Sequence, residues 1–424
     1  MAKLTIREVD LRGKRVLVRV DYNVPIEEKD GQMVVTDVTR IRETLPTIEA
    51  LIAQGASLIL AAHLGRPKGK RDATMTLAPV AAKLGELLGR PVHFANDCVG
   101  PEVESAATAL KQGEVLLLEN VRFHAEEEAN DPAFAERLAR VADAYVNDAF
   151  GSAHRAHAST EGVARVIARR GGLCVAGLLM DRELRFLGDE LEDPARPFVV
   201  ILGGAKVSDK ITVIDRLLEK ADTILVGGAM AYTFRLAQGR RIGKSLVEPE
   251  RVEVAKAALA KAAERKVQFL LPMDDVIAVP VPTDKLDKKG RPVVDYQNLR
   301  VNATPDCPDD AAGYDIGPAT VGAYAAVVAK ARTILWNGPM GLFEDKRFAE
   351  GTFAVARAVA QATQAGAKSI IGGGDSVKAL NKAGLGAQVT FMSTGGGASL
   401  EFLEGAVLPG VAALADQACC CGGH

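Results

Sequence analysis

The sequence predicts an α/β protein of two lobes, each a parallel sheet flanked by helices, joined by a helical hinge. Three observations predict it. Short, nearly continuous apolar runs alternate with amphipathic stretches along the chain, as expected of strands buried on both faces beneath covering helices. The alternation runs twice, with a polar, proline-bearing break between the two series. A length of 424 residues suits roughly two to three domains, and 48% apolar residues suffice for two cores.

In the first series the strand-type runs are Arg15–Val20, Ser57–Ala62, Val115–Glu119, Ala144–Asn147 and Leu173–Ala176. Ile41, Leu45, Ile48 and Ile52 recur at helical spacing and predict one apolar helix face. The second series is Phe198–Leu202, Thr223–Val226, Gln268–Leu271, Thr333–Trp336, Ser369–Ile371 and Val389–Phe391. The two series predict two Rossmann-like lobes. Met180–Leu191 reads as a helix with Leu184 and Leu187 on its apolar side. The polar segment Glu192-Asp193-Pro194-Ala195-Arg196-Pro197 follows it, so helix and linker together form a candidate hinge near residues 170–195. The stretch Pro280–Pro308 predicts a surface excursion or small hairpin. There is no fixed short-period repeat.

A net charge of −2 argues against wholesale coating of nucleic acid or a membrane-surface role. No apolar run reaches the roughly 18 residues of a membrane span. Charges interrupt Met1–Glu8 where a signal peptide would be apolar, so a cytoplasmic protein is expected. Cys98, Cys174 and Cys307 are scattered and predict reduced, structural thiols. The tail Cys419-Cys420-Cys421-Gly422-Gly423-His424 reads as a terminal extension.

The chemistry-bearing residues fall at strand ends, where α/β proteins bind ligands. Asp21 and Asn23, in Arg19-Val20-Asp21-Tyr22-Asn23-Val24-Pro25, can bond substrate hydroxyls or form an Asx turn. In His63-Leu64-Gly65-Arg66-Pro67 the glycine permits a turn that brings His63 and Arg66 to one strand tip. Arg122 follows a third strand, Arg40 opens a helix, and Arg155 lies in His154-Arg155-Ala156-His157. That His-x-x-His spacing lacks the further ligands zinc needs. Together the cations suit a small substrate bearing a phosphate and a carboxylate.

The second half offers glycine loops instead. Gly203-Gly204-Ala205-Lys206-Val207-Ser208-Asp209-Lys210 turns from strand to helix with two lysines, a phosphate-binding pattern. Gly239–Ser245 nearly spells a Walker A loop, but it is one residue short and follows a helical stretch, Ala231–Gln238. No G-x-G-x-x-G follows the first strand, which disfavours a nicotinamide cofactor. Trp336-Asn337-Gly338-Pro339 can wrap a base or ribose, with Glu344 accepting from ribose hydroxyls. Gly372-Gly373-Gly374-Asp375-Ser376 places a carboxylate where it could bear on Mg2+ or cap a helix. In Ser393-Thr394-Gly395-Gly396-Gly397-Ala398-Ser399, free N–H groups could face a transferring phosphoryl group.

This ordered set of motifs, spanning about residue 4 to residue 414, resembles the phosphoglycerate kinase family. The resemblance implies reversible transfer of the acyl phosphate of 1,3-bisphosphoglycerate to ADP, giving 3-phosphoglycerate and ATP, with Mg2+. It implies that Asp21, Tyr22, Asn23, Arg40, His63, Leu64, Gly65, Arg66, Arg122 and Arg155 form the phosphoglycerate site. It implies that Gly204, Lys206, Lys210, Gly313, Gly338, Glu344, Gly373, Gly374, Asp375 and Ser376 hold the nucleotide, with Asp375 toward the metal. Arg40, Lys206, Gly373 and Gly396 are expected to stabilise the transferring group, without a covalent intermediate or a general base. The implied lobes are residues 1–175 with about 405–424, and 196–404, with 176–195 as the hinge. Lobe closure and a monomer are implied as well. The departures are Ala229 after Gly227-Gly228, and the cysteine tail.

Overall fold

The computed structural model describes residues 2–286, 290 and 292–417. The cysteine tail and part of the Lys285–Pro292 run lie outside the described residues. The chain divides into two compact units. One comprises the chain up to Gly188 plus the segment from Gly405 onward; the other is Asp189–Glu404.

The first unit is built on a six-stranded sheet. From edge to edge its strands are Val92–Phe94, Val115–Leu117, Ser57–Ala61, Arg15–Val20, Ala144–Asp148 and Cys174–Ala176. Every pairing is parallel. The strands are short apolar runs because helices cover both faces. Helix Thr39–Ala53 buries Ile41, Ile48 and Leu51, while Leu45 and Ile52 of the expected stripe are only partly covered. The segment after Gly405 belongs here: Ala415 N–H donates to Cys174 O (2.8 Å), Leu4 N–H donates to Ala415 O (2.9 Å), and Lys3 pairs with Asp416 at 2.7 Å.

The second unit repeats the plan, with strands in the order Gln268–Leu270, Thr223–Val226, Phe198–Leu202, Thr333–Asn337, Lys368–Gly372 and Phe391–Met392, again all parallel. In each unit the first strand, Arg15–Val20 or Phe198–Leu202, lies inside the sheet, and the chain runs outward from it in both directions. The strand order therefore reverses beside it, and the crevice at the carboxyl ends there is the expected ligand position.

Four features add to or differ from the sequence expectation. Val92–Phe94 is a strand, too short for a periodicity signal. A hairpin, Ile26–Lys29 with Gln32–Val35, turns at Asp30-Gly31. The expected surface excursion or small hairpin at 280–308 is a hairpin, and a longer one: Asp275–Leu286 pairs with Pro292–Asn302 and, on its other side, with Ala312–Ile316, all antiparallel. The expected helix Met180–Leu191 is helical over Leu178–Leu184, widens to a π-turn over Arg185–Asp189, and resumes at Glu190–Glu192. No helix among the described residues is long and apolar enough to cross a membrane.

Candidate active site

In the first unit, four strand ends are stitched into one basic surface. Arg40, at the start of its helix, pairs with Asp21 at 2.7 Å and keeps 37% of its side chain exposed. Asn23 Oδ1 accepts from Gly65 N (2.9 Å), and Arg122 Nη1 donates to Gly65 O (2.8 Å). Arg122 also lies 3.2 Å from Glu128 and is otherwise buried. Arg66 is exposed and makes no ion pair among the described residues. Arg155 is half-buried, its Nε donating to His154 Nε2 (3.1 Å).

The local field is positive, and the histidines report it. Burial pushes the His63 pKa well below its usual value, and Arg19, Arg122 and Arg40 push it further. Burial lowers His157 to about 4, again with Arg122, Arg19 and Arg155 contributing. Arg19 Nη2 lies 2.9 Å from His63 Nδ1. A guanidinium only donates, so Nδ1 must carry a lone pair and His63 is neutral, with its proton on Nε2. A cluster of cations that keeps its histidines uncharged is arranged for an anion.

Two expected contacts are turned inward. The Tyr22 ring is fully buried, and its hydroxyl bonds Thr44 Oγ1 at 3.0 Å. Leu64 is buried, and both its backbone groups are tied to Asn120. Neither side chain reaches the basic surface, so these two positions shape the strand tips. The residues that do the tying were not picked out from sequence. Arg19 is fully buried and held by Ser159 Oγ (2.8 Å). Asn120 links the loop at Leu64 to Arg122 N (3.1 Å). An arginine inside an apolar strand is the signal that marks Arg19.

In the second unit, the loops after three strands pack backbone to backbone. Gly203 N–H donates to Asn337 O (3.0 Å), Gly204 N–H to Pro339 O (3.1 Å) and Gly228 N–H to Met340 O (2.8 Å). A Cβ at Gly203 would fall 2.0 Å from Pro339 O. Lys210 is nearly buried, and its Nζ bonds Asn337 Oδ1. Burial lowers its pKa to about 8, against the opposing charges of Asp209, Asp375 and Glu404. Asn337, a member of the loop read as wrapping a base or ribose, positions this lysine. Its Nδ2 is buried without a partner. Lys206 is exposed and makes no ion pair among the described residues.

A cavity of about 500 Å3 opens beside these loops, lined among others by Gly204, Gly228, Gly313, Pro339, Glu344 and Asp375. Gly373 caps the helix Gly374–Lys382, leaving Asp375 exposed in its first turn, 3.0 Å from Lys378. A Cβ at Gly374 would meet nothing within 4 Å, and the same holds at Gly396, the residue before helix Gly397–Leu403. Both loops therefore have open space beside their backbone. Ser376 is fully buried, and its hydroxyl accepts from Gly338 N (2.6 Å), so it holds the loop in place. The near-Walker segment follows a helix, Met230–Ala237, as expected, but Lys244 lines the cavity and Ser245 Oγ accepts from Gly313 N (3.0 Å).

Elsewhere, ligand atoms of Asp97, Cys98 and His124 lie within 4.8 Å of one another. The 2.7 Å bond between His124 and Asp97 accounts for that approach without an ion. Cys98, Cys174 and Cys307 are free and buried.

A family profile for phosphoglycerate kinase matches residues 6–406. The phosphoglycerate kinase of Moorella thermoacetica is 56% identical over 417 residues, covering 98% of this chain and all of the relative. That of Chloroherpeton thalassium is 54% identical over 416 residues, with the same coverage. The chain belongs to the phosphoglycerate kinase family. The solved phosphoglycerate kinase of Coxiella burnetii superposes with a TM-score of 0.82 at 40% identity, covering 97% of this chain and 98% of the other. That of Pyrococcus horikoshii gives 0.76 at 34% identity, covering 98% of each. Membership of the phosphoglycerate kinase family makes the protein a phosphotransferase, a kinase of glycolysis.

The lysine in this phosphoglycerate kinase fold yields a pH prediction. Lys210 has a lowered pKa, so it loses its charge as pH rises through about 8, while nucleotide phosphates are already ionised. On the nucleotide-binding role expected of Lys210, ADP affinity should fall between pH 7 and pH 9, and the fall should vanish in Lys210→Gln. Titration calorimetry across that range checks it.

Proposed function

We propose that the protein transfers the acyl phosphate of 1,3-bisphosphoglycerate to ADP, forming 3-phosphoglycerate and ATP reversibly, by direct in-line displacement. One observation carries the reading: a surface of arginines with neutral histidines lies in one unit, and a glycine-walled cavity flanked by lysines lies in the other. In the first unit Asp21, Asn23, Arg40, Arg66, Arg122 and Arg155 hold the phosphoglycerate. His63, being neutral, contributes a hydrogen bond from Nε2 and no charge. In the second unit Gly204, Lys206, Lys210, Gly313, Gly338, Glu344, Gly373 and Gly374 receive the nucleotide.

Phosphoryl transfer requires alignment and charge neutralisation more than bond-making by the protein. The attacking oxygen is already anionic, so no general base acts. Arg40 and Lys206, with amides at Gly373 and Gly396, stabilise the equatorial oxygens of the group in flight. Because the two ligands occupy different units, the units close on one another about the helical segment 176–195, excluding water. An exposed Asp375 carboxylate on the cavity wall, beside amides that suit phosphates, fits Mg2+, a hard cation that takes carboxylate and phosphate oxygens. When bound, Mg2+ neutralises phosphate charge and orients the nucleotide. The protein acts as a cytoplasmic monomer.

The test is a coupled assay of ATP formation from ADP and enzymatically generated 1,3-bisphosphoglycerate. The reading predicts saturable turnover in both substrates. No ATP above the enzyme-free rate would overturn it.

A further inference from the structure

Glu127 is a fully buried acid in the short helix Ala125–Glu128. Both of its oxygens accept from one residue: Ser159 N–H donates to Oε2 (2.8 Å) and Ser159 Oγ to Oε1 (2.6 Å). Burial raises the Glu127 pKa, and Arg19 and the two Ser159 bonds oppose the rise. With both oxygens already accepting, the ionised form fits the place. His157 lies 4.0 Å from Oε1, but its pKa of about 4 leaves it neutral at pH 7, so it does not balance the charge. Arg19 does. It is buried in strand Arg15–Val20 and makes no direct salt bridge among the described residues. A buried guanidinium without a counter-charge is costly, and Ser159 links this one to Glu127.

The linked groups form one chain whose polarity is forced. A guanidinium only donates. Arg19 Nε therefore donates to Ser159 Oγ (2.8 Å), which leaves the serine proton for Glu127. On the other side, Arg19 Nη2 donates to His63 Nδ1 (2.9 Å), while Nη1 donates to Val20 O. A proton on Nδ1 would face a donor, so the ring carries it on Nε2. That atom makes no bond among the described residues. The chain thus runs from a buried carboxylate to one unused N–H, entirely within the first unit.

We propose that Ser159 and Glu127 are positioning residues for the phosphoglycerate: acting through Arg19, they hold His63 with its proton on Nε2, so that Nε2–H donates to an anionic oxygen of the substrate. The proposal rests on the phosphoglycerate reading of the basic surface. The physical basis is direction. Arg40, Arg66, Arg122 and Arg155 already supply charge there. The other tautomer would set a lone pair against the substrate's oxygen and repel it. A ring free to change tautomer or to flip must be ordered when the substrate arrives, which weakens binding. A chain of bonds ending on a buried carboxylate orders it beforehand, and each bond polarises the next.

The test uses the full-length protein, isotopically labelled at the histidine nitrogens, as wild type and with Ser159→Ala or Glu127→Gln. The chain has six histidines, and His63→Gln assigns the signal. Nitrogen–proton correlation spectra of the wild type should show His63 with Nε2 protonated and Nδ1 bare from about pH 6 to pH 8. Saturating 3-phosphoglycerate should shift the Nε2–H resonance. Ser159→Ala removes the middle of the chain, so a second His63 tautomer or an averaged signal should appear. In the ATP-consuming direction it should raise KM for 3-phosphoglycerate about tenfold, the effect of one weakened hydrogen bond to a charged group, and leave KM for ATP unchanged. Glu127→Gln should act in the same direction on both readouts. A Ser159→Ala protein with the wild-type His63 spectrum overturns the proposal even if KM rises, because loss of packing alone would do that. So does a changed spectrum with an unchanged KM. If Ser159→Ala does not fold, Glu127→Gln decides by the same two readouts. If neither folds, the wild type decides: a proton on Nδ1, or an Nε2–H resonance that ignores the substrate, overturns the proposal. A wild-type enzyme that 3-phosphoglycerate does not saturate refutes instead the phosphoglycerate reading, while the His63 spectra still show whether the chain sets the tautomer.

Discussion

Arg40→Ala lowers kcat about a hundredfold or more, corresponding to roughly 3 kcal/mol of lost transition-state stabilisation, while KM for ADP stays near wild type. Arg40 lies in the first unit and the proposed nucleotide site in the second, so the nucleotide term is insulated from the change. Removing Arg40 also leaves Asp21 without its partner at 2.7 Å. An unpaired carboxylate at an anion site repels the substrate, so KM for 3-phosphoglycerate rises as well. Stability should hardly change, because a partly exposed ion pair is worth less than about 1 kcal/mol. Arg40→Lys restores charge but not the forked geometry, and should recover only part of the rate. Steady-state kinetics in both directions check the four kinetic statements, and a thermal melt checks the stability. Normal turnover by Arg40→Ala would remove Arg40 from the mechanism.

Gly338→Ala damages both the second unit and its ligand site. Gly338 has φ +103°, and a Cβ there would lie 2.1 Å from Gly203 O, a backbone atom that cannot swing aside. Three further bonds lock the place. Gly338 N–H donates to Ser376 Oγ (2.6 Å), Trp336 Nε1 donates to Gly338 O (2.7 Å), and Gly203 N–H donates to Asn337 O (3.0 Å). Backbone strain and overpacking each cost roughly 1–3 kcal/mol, so about 3 kcal/mol or more of stability should be lost. In a unit of this size that lowers Tm by about 10 °C. The loop that shifts is the one supporting Gly204, so ADP affinity should fall too. Calorimetric melting with and without ADP checks both; a Tm within about 2 °C of wild type contradicts the packing argument.

What could be read from the residues was largely what local pattern encodes. Arg15–Val20, Phe198–Leu202 and Thr223–Val226 are strands to the residue, because buried parallel strands are apolar along most of their length. The glycine loops and strand-end arginines were legible because turns and anion sites demand particular residue types. What escaped depends on partners distant in sequence. Arg235 and Asp275 form a buried pair across 40 residues, and burial raises the Asp275 pKa despite that arginine. No local pattern announces it. Asp275 also starts the hairpin strand, ahead of the hairpin expected from Pro280. The bonds of Tyr22 to Thr44 and of Ser376 to Gly338 join residues far apart in sequence, and the motifs alone do not show them. Asn337 looks like a turn residue until Lys210 is found against it.

The most direct measurement is the stereochemical course at phosphorus, using ATP made chiral at the γ-phosphate with oxygen isotopes and sulfur. A single in-line displacement between a phosphoglycerate held by arginines and a nucleotide held by glycine amides predicts inversion of configuration. Retention would mean two displacements and a phosphorylated protein group, and would contradict the account.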